Sequence, residues 1–330
     1  MNTAILIENL VSPITLAFLL GVIATLIRSD LEIPEPVIKI LAIFLLFSIG
    51  LQGGQELAAV TFADVAAGLG VTAALVLALP AIAYLIARHL IGLDIRNAAG
   101  IAALYGSVSS VTFVVARSYA EAQGSPMDGY VTALVALMEL GILVALFYGR
   151  LAISRQGGAT GSLGAILAET LRGRGLLLLG GGLFIGWAIG ERNFSQVSPF
   201  FVDLFRGVLV LFLLEMGMAA ARELRDWARM GGRLLTFALV VPLVNGTLGS
   251  LVATLAGLPL GSAFVIGAVA ASASYIDAPA AVRATFPQAN PSIYLTSSLG
   301  ITFPFMLIFG IPLIWQIAML WQGVFGAALP

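Results

Sequence analysis

Ten hydrophobic stretches follow one another along the chain, at approximately 12–28, 37–52, 63–87, 97–117, 129–149, 175–190, 204–220, 234–256, 261–282 and 294–321. A helix needs about 20 apolar residues to cross the hydrocarbon of a bilayer. Backbone in lipid must satisfy its own N–H and C=O groups, so such a series can fold only as packed α-helices. Composition agrees: 60% of the 330 residues are hydrophobic and 10% are charged, which no soluble domain of this size tolerates. The expectation is an all-α polytopic membrane protein with ten transmembrane helices. There is no cysteine, which excludes disulfides, thiolate metal sites and redox motifs. The one histidine, His89, stands beside Arg88 at a helix end, where a surface role is expected. Glu8 occupies what would be a basic leader region, so Ile14–Ile27 reads as a first span rather than a cleaved signal.

Basic residues set the expected orientation. With the N-terminus outside, Arg28, Lys39, Arg88, Arg96, Arg150, Arg155, Arg172, Arg174, Arg222, Arg225, Arg229, Arg233 and Arg283 face the cytoplasm, and only Arg117, Arg192 and Arg206 lie outside. Both termini are then external. The Gly- and Ser-containing stretch 150–174, with its four arginines, reads as a short flexible cytoplasmic linker between 1–149 and 175–330. These flanking parts repeat. An offset of 167 places Ile49-Gly50 on Met216-Gly217, Glu56-Leu57 on Glu223-Leu224, Gly100 on Gly267, Ala103 on Ala270 and Ser107 on Ser274. With three residues of slippage, Tyr130-Val131-Thr132 meets Tyr294-Leu295-Thr296. Five spans per half is odd, so the halves run oppositely through the membrane, the inverted-repeat plan of secondary transporters.

Two stretches at repeat-related positions carry residues that lipid rejects. Ala270–Ser292 contains Ser272, Ser274, Asp277 and Pro279, and the fourth span contains Gly106, Ser107, Ser109, Ser110 and Thr112. Non-helical backbone at membrane depth must be buried in protein or line a cavity. Each stretch is expected to be a helix broken in mid-membrane, with the two breaks crossing. Ser109 or Ser110 can cap one half-helix, and Asp277 the other, with Pro279 in its first turn where a missing N–H costs little. N–H groups and hydroxyls gathered at helix N-termini attract an anion. Carbonyls freed by the breaks, with Ser, Thr and carboxylate oxygens, suit Na⁺. Small residues alone can also reflect close helix packing. Two further acids lie within spans, Glu139 and Glu215. Each is either functional or a protonated or Arg-paired structural group. Arg206 lies some two and a half turns before Glu215, too far for a direct pair. Arg222, Arg225, Arg229 and Arg233 read as a topogenic basic loop or a docking surface for lipid or a regulator. No phosphate loop, nucleotide-binding glycines or metal-ligand spacing appears, so neither a nucleic-acid partner nor a transition metal is expected.

The chain resembles the sodium-dependent bicarbonate transporters of cyanobacteria and other bacteria. The likeness runs through Leu31-Glu-Ile-Pro-Glu35, Ile49-Gly-Leu-Gln-Gly-Gly54, Gly106 with Val108-Ser109 and Thr112, Leu204-Phe-Arg-Gly207, Met216-Gly-Met218, Arg283-Ala284, Ala289-Asn-Pro-Ser292, Tyr294 and Ser297-Ser298. It implies ten spans in two inverted five-helix repeats, with spans three to five and eight to ten as a core domain and one, two, six and seven as a gate domain. It further implies a trimer in the bacterial inner membrane that imports bicarbonate with Na⁺ by alternating access, and a transporter rather than an enzyme. The substrate site carries over onto Gly106, Ser107, Ser109, Ser110, Thr112, Ser272, Ser274, Ala278 and Pro279. Thr112, Glu139, Ser274 and Asp277 are expected to hold Na⁺. A PII-type protein is a further implied cytoplasmic partner. The chain departs from its relatives in having Tyr275 where an acid usually follows the serines, with its own acid at Asp277, and in carrying Glu139 in place of an aspartate. Two other functions fit the same plan: sodium-coupled uptake of a monocarboxylate, and cation/proton antiport. The antiport reading is weakened because the only lysine, Lys39, lies at a span end.

Overall fold

The computed structural model describes residues 11–155, 172, 174–224, 231–276 and 278–325, and among these the chain is helix and turn with no strand. The helices are α1 (Pro13–Leu26), α2 (Glu35–Leu57), α3 (Phe62–Leu85), α4 (Ile95–Tyr105), α5 (Ser110–Ala122), α6 (Val131–Met138), α7 (Gly141–Arg155), α8 (Arg174–Ser198), α9 (Phe205–Leu224), α10 (Gly231–Leu255), α11 (Leu260–Ala270), α12 (Ala278–Thr285) and α13 (Pro291–Phe325). Local chemistry explains several starts. Ser12 accepts the Thr15 N–H at 3.2 Å and is followed by Pro13, and Asp94 accepts from the backbone of Arg96 and Asn97.

Among the described residues, seven helical runs are long and apolar enough to cross a membrane, and α1 and α11 are shorter apolar helices. One of the seven, Gly180–Glu223, has 44 residues and would measure about 66 Å if straight, twice the hydrocarbon thickness. It is divided by Gly190, at φ 69° and ψ 164°, and by a wide π-helical stretch at Pro199–Asp203. The last segment departs from α-helical geometry in π-helical turns at Thr296–Thr302 and Met306–Gly310, flanking Pro304, which has no N–H to give the ladder. The stretch expected to be a linker, 150–174, is described only at its ends. Helix α7 runs on through Arg155 and α8 begins at Arg174, while 156–171 and 173 lie outside the described residues. His89 is exposed in the π-helical turn after α3, as expected.

Two patterns of packing stand out. Helix α1 lies along α9 and α2 along α8, each through glycines: a Cβ on Gly21 or Gly217 would strike the carbonyl of Leu214 or Phe18, and one on Gly54 or Gly186 would strike that of Leu183 or Leu51. Around α4, α5 and α11, by contrast, protein closes in from all sides. Helix α4 packs on α3 and α7, and α11 packs on α5, α10 and α13. The run Ile95–Ala122 is 94% buried over its apolar window, and every residue of α11 from Gly261 to Ala270 is buried. That enclosure lets these segments leave helical geometry away from lipid.

Candidate functional site

Both expected breaks are present, and they touch. Helix α4 stops at Tyr105, residues 106–109 turn, and α5 starts at Ser110. Helix α11 stops at Ala270 and α12 starts at Ala278. Across the gap, the Ser109 N–H donates to Ser272 Oγ at 2.8 Å, and the Ser274 N–H donates to the Leu104 carbonyl at 2.8 Å. Each break therefore satisfies a backbone group that the other leaves open.

The serines divide the work. Ser109 is the cap of α5: its backbone is extended (φ −100°, ψ 113°) and its Oγ accepts the Thr112 N–H at 3.2 Å. Of the two serines that could cap this half-helix, the structure selects the first. Ser272 Oγ donates to the Val269 carbonyl at 2.6 Å while accepting from Ser109, so its one proton and a lone pair are both in use. Ser274 Oγ accepts the Ala278 N–H at 3.3 Å, taking part of the capping expected of Asp277, and Pro279 sits in the first turn of α12. Asp277 itself lies outside the described residues. Ser107, Ser109, Thr112, Ser272, Ser274, Ala278 and Pro279 are all buried, and Ser110 is half-buried.

Glu139 joins this crossing from a third break that sequence reading missed. Ser107 Oγ donates to Glu139 Oε2 at 2.7 Å, and the carboxylate is buried. The fifth segment is not one helix. Bonds from Glu139 N to Ala136 O, Leu140 N to Leu137 O and Ile142 N to Glu139 O show it tightening to three-residue turns between α6 and α7. The cause is steric. A Cβ on Gly141 would collide with the Gly106 carbonyl, so the two chains meet backbone to backbone here. Gly106 in turn sits against Pro80 of α3, leaving its own Cβ position filled. A glycine just after an intramembrane acid was the available signal.

The remaining acids and bases sort by partner. Glu215 is buried and pairs with Arg222 at 2.6 Å, two turns on in α9, while Arg222 stays about half exposed. The pairing with an arginine, one of the arrangements expected of it, is present. Arg206 does not reach Glu215 and pairs with Glu121 at 3.0 Å instead. Arg225 and Arg229 lie outside the described residues, and Arg233 is exposed on α10. Near the crossing, Thr302 Oγ1 donates to the Ala238 carbonyl at 2.6 Å and lies 2.6 Å from the Tyr105 hydroxyl. Pro242, four residues after Ala238, has no N–H for that carbonyl, and Thr302 supplies the missing donor.

A cavity of about 20 Å³ borders both breaks, between Ser110, Val111 and Ile276 on one side and Ala42, Leu45, Ile49, Leu209 and Phe212 of α2 and α9 on the other. Ser110 is its one polar lining residue. The volume is that of about one water, and an apolar space of this kind stays dry. At the crossing, Ser107, Ser109, Ser272 and Ser274 are buried and hydrogen-bonded to protein.

A multi-span helical bundle with polar, mutually bonded helix breaks at its centre belongs to the class of membrane transport proteins. The family model of the Na⁺-dependent bicarbonate transporter superfamily matches residues 13–319, nearly the whole chain. This protein belongs to that superfamily, which is one of transporters and not of enzymes. No curated protein matches the chain.

Proposed function

We propose that this protein imports bicarbonate together with Na⁺ across the bacterial inner membrane by alternating access. The observation that carries the reading is the pair of hydrogen bonds joining the two breaks, Ser109 to Ser272 and Ser274 to Leu104. They set two helix starts, with their N–H groups and hydroxyls, around one buried point beside Glu139. The N-terminal ends offer partial positive charge to an anion, and Glu139, the serine oxygens and Asp277 offer oxygen to a cation.

The site serves a co-bound pair better than a lone ion. An anion alone in a dry interior pays a large desolvation cost, and a neighbouring cation offsets part of it. Each ion then raises the other's affinity by the same factor. Bicarbonate with one Na⁺ carries no net charge, so the Na⁺ gradient drives uptake at about 1.4 kcal/mol per tenfold ratio. In the structure Ser272 Oγ occupies the Ser109 N–H. An arriving anion takes over that N–H, with Ser272 turning to donate to it.

The moving parts follow from the inverted-repeat plan of ten spans, in which 1–149 and 175–330 are the repeats joined through 150–174. Helices α1, α2, α8 and α9 make the gate, and α3 to α7 with α10 to α13 make the core. Reciprocal contacts support this division. Asp128 N–H donates to Ser262 Oγ at 2.9 Å near the start of α11, and Asn290 N–H donates to Asn97 Oδ1 at 2.7 Å near the start of α4. Each half thus anchors the loop of the other at corresponding places. The small apolar cavity between the crossing and α2 and α9 supports a seam there along which core slides on gate.

Uptake of labelled bicarbonate into proteoliposomes, with and without an inward Na⁺ gradient, tests the proposal. Gradient-dependent uptake that acetate and pyruvate do not inhibit is expected. Uptake indifferent to Na⁺ would remove the coupling, and inhibition by the monocarboxylates would reassign the substrate.

A further inference from the structure

Two clusters of the same composition occupy repeat-related positions. One holds Glu56, Arg117, Tyr130 and Thr132, and the other holds Glu223, Arg283, Tyr294 and Thr296, at offsets of 164 to 167 residues. They lie at opposite ends of α9. The first is tied through Glu121 to Arg206 at its start, and the second contains Glu223 at its finish, about 25 Å away along the axis. Their internal contacts differ. In the first cluster Arg117 bridges Glu56 at 3.3 Å and Glu121 at 3.0 Å, while the Thr132 hydroxyl, packed on Gly53 one turn before Glu56, is buried without a hydrogen-bond partner. In the second, Thr296 donates to Glu223 at 3.2 Å. There Arg283 reaches only the Pro279 carbonyl of its own helix, at 3.4 Å, and has no carboxylate partner among the described residues, while the Tyr294 hydroxyl is buried without a hydrogen-bond partner.

We infer that these clusters are two copies of one latch caught in its two positions: glutamate held by arginine where the seam is shut, and by threonine where the arginine is released. Both glutamates are carried by α2 and α9, and every arginine and threonine of the latch by α5, α6, α12 and α13. Sliding one set past the other exchanges the partners at both ends at once. Glu223 takes Arg283 as Glu56 passes to Thr132. One of the two latch glutamates is paired with its arginine in either position, so the exchange leaves the two states close in energy, which a carrier that must visit both requires. By the distribution of basic residues the Glu56–Arg117 end is external, so the closed end faces outward. This inference rests on the alternating movement proposed above.

Because the chain has no cysteine, introduced thiols are unambiguous. Glu56→Cys with Arg117→Cys, Glu223→Cys with Arg283→Cys, and all four together are treated in membranes with a short, reducible, thiol-reactive bifunctional reagent. A direct disulfide is too short, since it needs Cβ atoms about 4 Å apart. In the four-cysteine chain each molecule is expected to carry a bridge at one end or the other, in a ratio that shifts when Na⁺ and bicarbonate are added. Either bridge should stop uptake, and reductant should restore it. Molecules bridged at both ends, or a 223–283 bridge that forms under no condition, would overturn the latch. A second measurement guards against misfolding: Glu223→Arg with Arg283→Glu should recover uptake lost in each single variant, and no recovery would equally overturn it. If the unmodified protein takes up no bicarbonate, the substrate assignment fails alone, because counting bridges needs no transported solute.

Discussion

Replacing Ser272 by alanine tests the crossing at its joint. The hydroxyl makes two bonds, from Ser109 N–H at 2.8 Å and to Val269 O at 2.6 Å. Their losses are unequal. The Val269 carbonyl keeps the Ser272 N–H at 3.0 Å, whereas no other acceptor is seen for the Ser109 N–H, in a residue only 4% exposed. A buried donor left without acceptor costs about 1–3 kcal/mol, and that orphan dominates the change. With an unfolding entropy of roughly 2.1 cal/mol/K per residue, a chain this long loses about 1.5 °C in Tm per kcal/mol, so a fall of roughly 2–4 °C is expected. If the same hydroxyl turns to donate to the anion, its removal forfeits a further 1 kcal/mol or so, raising the KM for bicarbonate about five- to tenfold. Thermal unfolding in detergent, beside exposed Ser195→Ala as control, and uptake kinetics in proteoliposomes give the two readouts. A Tm within 1 °C of the control together with a KM within twofold of the parent would refute both the bond and its proposed use.

Other positions give distinct signatures. Gly141→Ala forces a methyl into the Gly106 carbonyl; overpacking of this kind costs about 1–3 kcal/mol or more, and uptake should be lost together with several degrees of Tm. Glu139→Gln keeps an acceptor for Ser107 but removes the charge, so the Na⁺ concentration for half-maximal uptake should rise at least tenfold while Tm changes little; an unchanged Na⁺ curve takes Glu139 out of the cation site. Asp277→Asn should likewise weaken Na⁺ activation more than expression, as measured by uptake per unit of purified protein. Arg222→Ala leaves Glu215 buried with its charge uncompensated, so Tm should fall by a few degrees while Na⁺ dependence stays as in the parent.

What the sequence determined by itself follows from the solvent. Lipid offers no hydrogen bonds, so apolar length demanded helices, and polar or proline-bearing residues inside a span demanded a shielded break. Hence the interruptions at 106–109 and 271–276 were legible before any coordinates. The break after Met138 was not. It depends on the Gly106 carbonyl occupying the space where a Gly141 side chain would stand, which is a contact between distant segments and leaves no local hydropathy mark. Partner choice was equally out of reach. Glu139 and Glu215 look alike in sequence, two acids inside apolar runs. Tertiary packing gave one a serine at the crossing and the other an arginine two turns along its own helix. Long side chains reach several ångströms in many directions, and the same four residue types at the two ends of α9 adopt different pairings. Sequence can place a charge within a span; only the packed neighbours decide what that charge meets.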